Sequence, residues 1–246
     1  MLIGSNIIYR EKVSSTNKLA AEMLAAESVA EGTLIYAVDQ YNGKGQRGNK
    51  WVSEAGKNLT VSIILYPGFL EADKQFMISK VISLSIAGFL DAYSDSISIK
   101  WPNDIYHKDD KIAGILIENS LEGSKILNSI VGAGININQV TFPPEISNPV
   151  SLSMINKREY DIGTAMVEFC RTCDIWYNRL RKGHLSYIDK QYTDRLYRLN
   201  IPSRFITARG TVSGKITGVD RFGRIKIEMD NGNNEVYGFR EIEFTD

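Results

Sequence analysis

The chain has 246 residues, of which 43% are hydrophobic and 24% charged, with 29 cationic and 29 acidic side chains and a formal net charge of zero. That length accommodates one large domain or a main domain with a small one. The neutral balance excludes bulk attraction to nucleic acid or to a membrane surface, so any charge on a ligand must be met locally. Residues 1–10 are too short and polar for a secretion signal, and no apolar run approaches the roughly 20 residues needed to span a bilayer. A cytoplasmic protein is expected.

Residues 6–13 read as a short strand. Ser14-Ser15-Thr16-Asn17 follows, leading into a helix over 18–26 with Leu19, Met23 and Leu24 on one stripe. One hydroxyl or amide suffices to cap a helix start; the others are surplus donors and acceptors for a polar ligand. The β-rich run 33–40 ends at Gln40. Next comes Gly43-Lys44-Gly45-Gln46-Arg47-Gly48-Asn49-Lys50-Trp51, and a second strand runs over 58–65. Glycines bring backbone N–H groups close to a ligand, and lysine and arginine among them add positive charge, a composition suited to phosphate. The bland alternative is a solvated basic hairpin tip. The Gly-x-Gly-x-x-Gly spacing signals a dinucleotide fold only where a helix opens at the loop, and residues 49–57 lack a helical apolar period.

Residues 76–93 predict a long buried helix. Lys100-Trp101-Pro102-Asn103-Asp104 then ends a strand that starts at Ile97, because proline removes a ladder donor and forces a turn. Residues 108–111 read as a polar turn, and 112–118 and 126–137 as strands. The second strand carries Gly132-Ala133-Gly134-Ile135-Asn136, whose glycines predict close approach by a ligand or another backbone. Residues 140–155 read as a polar loop, and 160–182 and 184–198 as helices. Cys170 and Cys173 fall on the apolar face of the first of these helices, without the second ligand pair that a zinc or redox site needs, and are read as core residues. After Pro202 the pattern changes to short strands at 211–218, 223–229 and 235–239, separated by turn signals, which predicts a small β-barrel. A domain boundary is placed near residue 200, giving units of 1–199 and 200–246. The fold class is α+β: a mixed sheet with packed helices, plus the small C-terminal barrel.

Nothing in the sequence forms a Ser–His–Asp triad, and two histidines are too few for a His-based metal site. What converges is polar recognition plus positive charge around a polyanion, as phosphoryl or nucleotidyl transfer requires. Ser-Thr-Asn at a helix start, the glycine loop before Trp51, Lys-Trp-Pro-Asn-Asp, Ala-Gly-Ile-Leu-Ile-Glu at 113–118 and Gly-Ala-Gly-Ile-Asn occur in that order. In this the chain resembles the biotin–protein ligases, the biotin–[acetyl-CoA-carboxylase] ligases, from about residue 7 to the end, SH3-like C-terminal barrel included.

The resemblance implies formation of biotinyl-5′-AMP from biotin and MgATP, followed by transfer to a lysine of a biotin carboxyl carrier protein. It implies a biotin site of Ser15, Thr16, Asn17, Gln40, Lys44, Gly45, Gln46 and Lys100. Lys100, Lys44 and Arg47 would stabilise transition-state charge, and Arg47, Trp51, Asn103, Lys111 and Asn136 would lie on the nucleotide side. It leaves the Mg²⁺ ligands unassigned and the oligomeric state open, a homodimer included. Lys44 and Gln46 depart from the arginines that relatives often carry there. Some members add an N-terminal winged helix–turn–helix; this sequence starts a few residues before its first strand, so no DNA binding is expected. Two rival readings remain. One is a lipoate–protein ligase, which shares the fold and adenylation chemistry. The other is a non-enzymatic nucleotide- or RNA-binding protein using the basic loop and barrel.

Overall fold

The computed structural model describes residues 1–245, except the side chain of Arg47. Residues 7–135 build a seven-stranded mixed sheet. Its strands are β1 (Ile7–Val13), β2 (Leu34–Gln40), β3 (Leu59–Leu65), β4 (Ile97–Lys100), β5 (Asp104–His107), β6 (Asp110–Glu122) and β7 (Lys125–Ile135), in the order β1-β2-β3-β7-β6-β5-β4. β1 and β2 are parallel and every other pair is antiparallel.

Period-2 alternation decides what each face carries. On β3, Leu59, Val61, Ile63 and Leu65 join the main core with α2 (Phe76–Leu90) and α4 (Ile162–Arg181). Thr60, Ser62 and Ile64 point the other way, and all seven residues are buried. On that second face lies α1 (Thr16–Ala26), whose Ala20 packs with Ile35, Ile64 and Ile130 in a smaller cluster. The face that α1 only partly covers is where polar side chains gather.

A short helix, α3 (Leu152–Asn156), interrupts the stretch expected to be loop, and its cap is local: Ser151 Oγ accepts from the Met154 N–H at 3.2 Å. β6 begins at Asp110, so the polar turn expected over 108–111 is shorter than its charge pattern implied. α5 (Leu185–Asp194) follows α4. Cys170 and Cys173 are buried and unbonded on the apolar side of α4, where burial raises both thiol pKa values, that of Cys170 to about 11.

A second, antiparallel sheet contains β8 (Pro202–Thr207), β9 (Gly210–Val219), β10 (Ile225–Met229), β11 (Asn234–Tyr237) and β12 (Ile242–Phe244), in the order β11-β10-β9-β8-β12. β8 and β12 were not distinguished in the sequence. Among the described residues no ladder joins β11 to β12, so the expected barrel is seen as an antiparallel sheet without closure. This sheet is fastened to the larger one. Trp101 Nε1 donates to the Gly223 carbonyl at 2.8 Å, and the Phe239 ring lies 5.4 Å from Trp101 and 6.0 Å from Phe76. Gly223 has a φ of +87°, and a Cβ there would stand 2.5 Å from the Phe76 ring, so both its turn and its packing require glycine. Among the described residues no helix is long and apolar enough to cross a membrane.

Candidate active site

A cavity of about 330 Å³ opens between the α1 face of the large sheet, the glycine loop and the C-terminal sheet. At one end sits a hydroxyl–amide cluster. Ser15 takes the N-cap position of α1, but its side chain makes no capping bond, contrary to the expectation that one residue of this group would be spent on the helix. Ser15, Thr16 and Asn17 are all buried and line the cavity. Thr16 donates to Gln40 Oε1 twice, from its backbone N–H at 2.7 Å and its hydroxyl at 3.0 Å. Ser62 Oγ lies 2.7 Å from Thr16 Oγ1 and 2.6 Å from Asn17 Oδ1. Asn17 Nδ2 donates to Glu118 Oε2 at 2.7 Å and to the Leu116 carbonyl at 3.3 Å.

The two amides in this cluster have unambiguous orientations. A backbone N–H fixes Gln40 Oε1 inward, and two oxygen acceptors fix Asn17 Nδ2 outward. Both amide oxygens therefore face the Ser62–Thr16 hydroxyl pair. Gln40 Oε1 already accepts the Thr16 N–H, and the Ser62 proton goes to Asn17 Oδ1, so Thr16 Oγ1 is left accepting from no group of the cluster. Thr16 and Asn17 open on the cavity, beside Gln40. A ligand N–H can donate to that open Thr16 oxygen.

The Gly132-Ala-Gly134 strand has a specific job beneath this cluster. A Cβ at Gly132 would lie 2.4 Å from Asn17 Oδ1, and one at Gly134 would lie 2.2 Å from Trp51 Cε2. Gly134 pairs with Gly114 across β6 and β7, and a Cβ at Gly114 would reach Trp51 Cζ3 at 3.0 Å. The close approach expected from these glycines is thus made by the chain's own Asn17 and Trp51. Among the described residues the buried Trp51 Nε1 has no hydrogen-bond partner.

The loop bearing Trp51 is a compact hairpin. Lys44 bridges to Lys50, the Gly45 N–H donates to the Asn49 carbonyl at 2.7 Å, and the Trp51 N–H donates to the Gly43 carbonyl at 3.0 Å. Only a three-residue 3₁₀ turn, Gln46–Gly48, sits in the loop and a strand follows, so no α-helix opens at the glycines and the dinucleotide reading falls. Lys44, Gly45, Gln46, Lys50 and Trp51 line the cavity. The side chain of Arg47 lies outside the described residues.

At the other end is Lys100. It sits on β4 against the turn made by Trp101-Pro102-Asn103, whose Trp–Pro peptide is cis. Its Nζ donates to the Tyr106 hydroxyl at 3.0 Å and stands 4.5 Å from the Tyr106 ring, 5.2 Å from Phe244 and 5.6 Å from Tyr197. Asn103 is anchored by its Nδ2 donating to the Ile115 carbonyl at 2.8 Å. Lys111 pairs with Asp104 at 2.8 Å and approaches the Trp51 ring at 5.9 Å. All three line the cavity, together with Asp104. Asn136 does not: its Nδ2 donates to the Val150 carbonyl at 3.0 Å, and it is buried beneath the 136–152 connection. Among the described residues, no group of three or more His, Cys, Asp or Glu is placed to hold a metal ion.

A model of the biotin/lipoate A/B protein ligase family matches residues 9–136. The bifunctional ligase/repressor BirA of Bacillus spizizenii is 31% identical over 247 residues, spanning 96% of this chain and 73% of that protein. The chain belongs to the biotin/lipoate A/B protein ligase family. A biotin–[acetyl-CoA-carboxylase] ligase of Paracoccus denitrificans is 26% identical, over 92% of this chain and 95% of its own length. Among solved structures, the biotin protein ligase of Aquifex aeolicus in complex with biotin and ATP superposes with a TM-score of 0.82 at 25% identity, covering 98% of this chain and 99% of that one.

The family match ends at Asn136, yet Phe239, Ile242, Glu243 and Phe244 also line the cavity. Sequence reasoning missed these residues, as it missed Ser62 and Glu118. For Ser62 a signal existed. Thr60 and Ser62 are polar positions in an otherwise apolar strand, a pattern that marks a second face with its own polar purpose. For the C-terminal residues the sequence held only a turn followed by three residues of strand.

Proposed function

We propose that this chain activates biotin with ATP to biotinyl-5′-AMP and then transfers biotin to a lysine of a biotin carboxyl carrier domain, acetyl-CoA carboxylase being the acceptor enzyme. The open acceptor at the hydroxyl–amide end of the cavity carries the reading. Biotin's ureido ring brings N–H donors and a carbonyl acceptor. Ser62 spends its proton on Asn17 Oδ1, and Thr16, which lines the cavity, keeps a hydroxyl oxygen open to a donor. A lipoyl dithiolane has no N–H to give, so that acceptor would stay unfilled with lipoate bound. The zero formal net charge argues against the RNA-binding alternative.

On this reading Ser15, Thr16, Asn17 and Gln40 hold the ring, and the valeryl chain runs under Lys44, Gly45 and Gln46. The biotin carboxylate attacks the α-phosphorus of ATP, and pyrophosphate leaves. Two anions must meet, and Lys100 with Lys44 and Arg47 screens their repulsion and stabilises the charge that builds on the phosphorus oxygens. The aromatic faces and hydroxyl around Lys100 fix its position before substrate arrives, so little reorganisation is needed at the moment of reaction. Trp51, Asn103 and Lys111 take the nucleotide side. Asn136 is withdrawn from that set because it does not line the cavity. Magnesium enters with the nucleotide as MgATP, on phosphate oxygens. In the second step the acceptor amine attacks the acyl carbon of the mixed anhydride and AMP leaves. The closed loop hairpin shields the anhydride from water.

Biotin-dependent exchange of pyrophosphate into ATP, run against lipoate at equal concentration, tests the reading. Exchange with biotin and a matching mass increase on an added carrier domain are expected. Exchange with lipoate alone, or with neither, from folded protein would overturn it.

A further inference from the structure

Glu118 lies one residue pair beyond the cavity on β6, exposed, and does not line the pocket. Its carboxylate nevertheless holds the shorter of the two bonds made by the Asn17 amide, 2.7 Å against 3.3 Å to the Leu116 carbonyl. A charged acceptor is also the stronger partner. The orientation of Asn17 decides where the Ser62 proton goes. With Nδ2 on Glu118, Oδ1 takes the Ser62 proton and Thr16 Oγ1 stays open to a ligand N–H. Were the amide turned over, Nδ2 would donate to Ser62 Oγ and the Ser62 proton would pass to Thr16 Oγ1, filling that acceptor from within. Gly132 gives the amide its room, since a Cβ there would stand 2.4 Å from Oδ1.

We propose that Glu118 is a positioning residue that sets ring specificity. By locking the Asn17 amide it draws the Ser62 proton to Asn17 Oδ1 and keeps Thr16 Oγ1 open for a ligand carrying an N–H donor. The assignment rests on the reading of the site as a biotin pocket. Glu118 touches no substrate; it acts through Asn17, then Ser62, then Thr16, over contacts of 2.7, 2.6 and 2.7 Å.

The test is steady-state pyrophosphate exchange with wild type, Glu118→Ala, Glu118→Gln, Ser62→Ala and the Glu118→Ala/Ser62→Ala double variant. Glu118→Ala should raise the KM for biotin about tenfold, the worth of one charge-assisted hydrogen bond partly open to water. Its kcat, its KM for ATP and its thermal unfolding should stay unchanged. Glu118→Gln, whose side-chain carbonyl still accepts from Asn17, should recover most of that loss. The double variant should be no worse than Ser62→Ala alone, because both act on one chain. A further readout separates positioning from general support: the preference for biotin over a ureido-N-methylated biotin should shrink about tenfold in Glu118→Ala. An unmoved biotin KM in Glu118→Ala, or losses that multiply in the double variant, would overturn the assignment while leaving the biotin reading intact. Absence of biotin-dependent exchange in the wild type would overturn that reading, and this assignment with it.

Discussion

Two lysines of this protein are surrounded by aromatic rings, and they end in different surroundings. Lys80, on α2, is buried. Its Nζ lies 5.6 Å from the rings of both Phe76 and Tyr192 and ends 2.7 Å from Asp189 on α5. Lys100, on β4, lies over three rings and beside a tyrosine hydroxyl, and it forms part of the cavity wall. In the first case a carboxylate cancels the charge and the pair ties two helices together. In the second, ring faces and a hydroxyl hold the ammonium in place at the mouth of a polar cavity. Aromatic surroundings therefore do not by themselves mark function; a place on the cavity wall separates the two.

The sharpest way to break this contrast is to remove each lysine. Lys100→Ala should cut biotin-dependent pyrophosphate exchange by about 100- to 1000-fold, as deletion of a single charge-stabilising donor does, with little change in melting temperature. Lys80→Ala should do the reverse. It strips a buried stem and leaves Asp189 without its cation, for a loss of about 2 kcal/mol and a Tm lower by about 4–8 °C, while exchange by the folded enzyme persists. If Lys80→Ala abolished exchange at a temperature where it is folded, the two lysines would not differ as argued.

Smaller changes ask which part of each surrounding matters. Phe244→Ala removes one of the three faces around Lys100 and should lower kcat by about two- to fivefold, the worth of a partly exposed cation–π contact. An unchanged kcat would leave the C-terminal sheet without a part in placing Lys100. On the Lys80 side, Tyr192 is fully buried, and among the described residues its hydroxyl has no hydrogen-bond partner. Burial accordingly pushes its pKa upward. Tyr192→Phe keeps the ring under Lys80 and removes the unsatisfied oxygen, so it should stabilise the protein by about 1 kcal/mol and leave exchange alone. A fall in Tm would show that the hydroxyl has a partner after all, such as a bound water.

Much of this architecture was legible in the sequence because it rests on period and on special residues. The runs 33–40, 58–65 and 126–137 became β2, β3 and β7 with only end adjustments, and the long apolar segment from Phe76 became α2. Lys100 and the glycine loop were found because glycine, proline and cations in one stretch have few structural uses. Other features depend on pairing between distant residues. β5, β8 and β12 are 4, 6 and 3 residues long, too short for alternation to declare itself. Glu118 shares the cluster only because β6 passes α1, 101 residues away in sequence from Asn17. Asn136 carried the same side chain as Asn17 beside a glycine motif, yet its neighbour is a backbone carbonyl of the following connection. An amide's chemistry can be read from sequence, but the atom it answers to cannot.

The Cys170-x-x-Cys173 pair extends the same contrast to another kind of reactive group. Like Lys80 it sits in the helical layer, on α4 against the main core, and like Lys80 it is silenced by its surroundings. Desolvation is the leading cause that raises both thiol pKa values, with the Asp174 carboxylate adding to it, and it brings Cys170 to about 11. At pH 8 a thiol with that pKa is roughly one part in a thousand thiolate, and the thiolate is the species that reacts. Native protein should therefore resist iodoacetamide at pH 8, and both cysteines should label once urea unfolds the chain. Whatever native labelling occurs should quicken about tenfold per pH unit as pH rises toward 11, because deprotonation limits it. Rapid labelling of either cysteine in folded protein at pH 8, or tight zinc uptake by the native chain, would move this pair out of the core and into the chemistry.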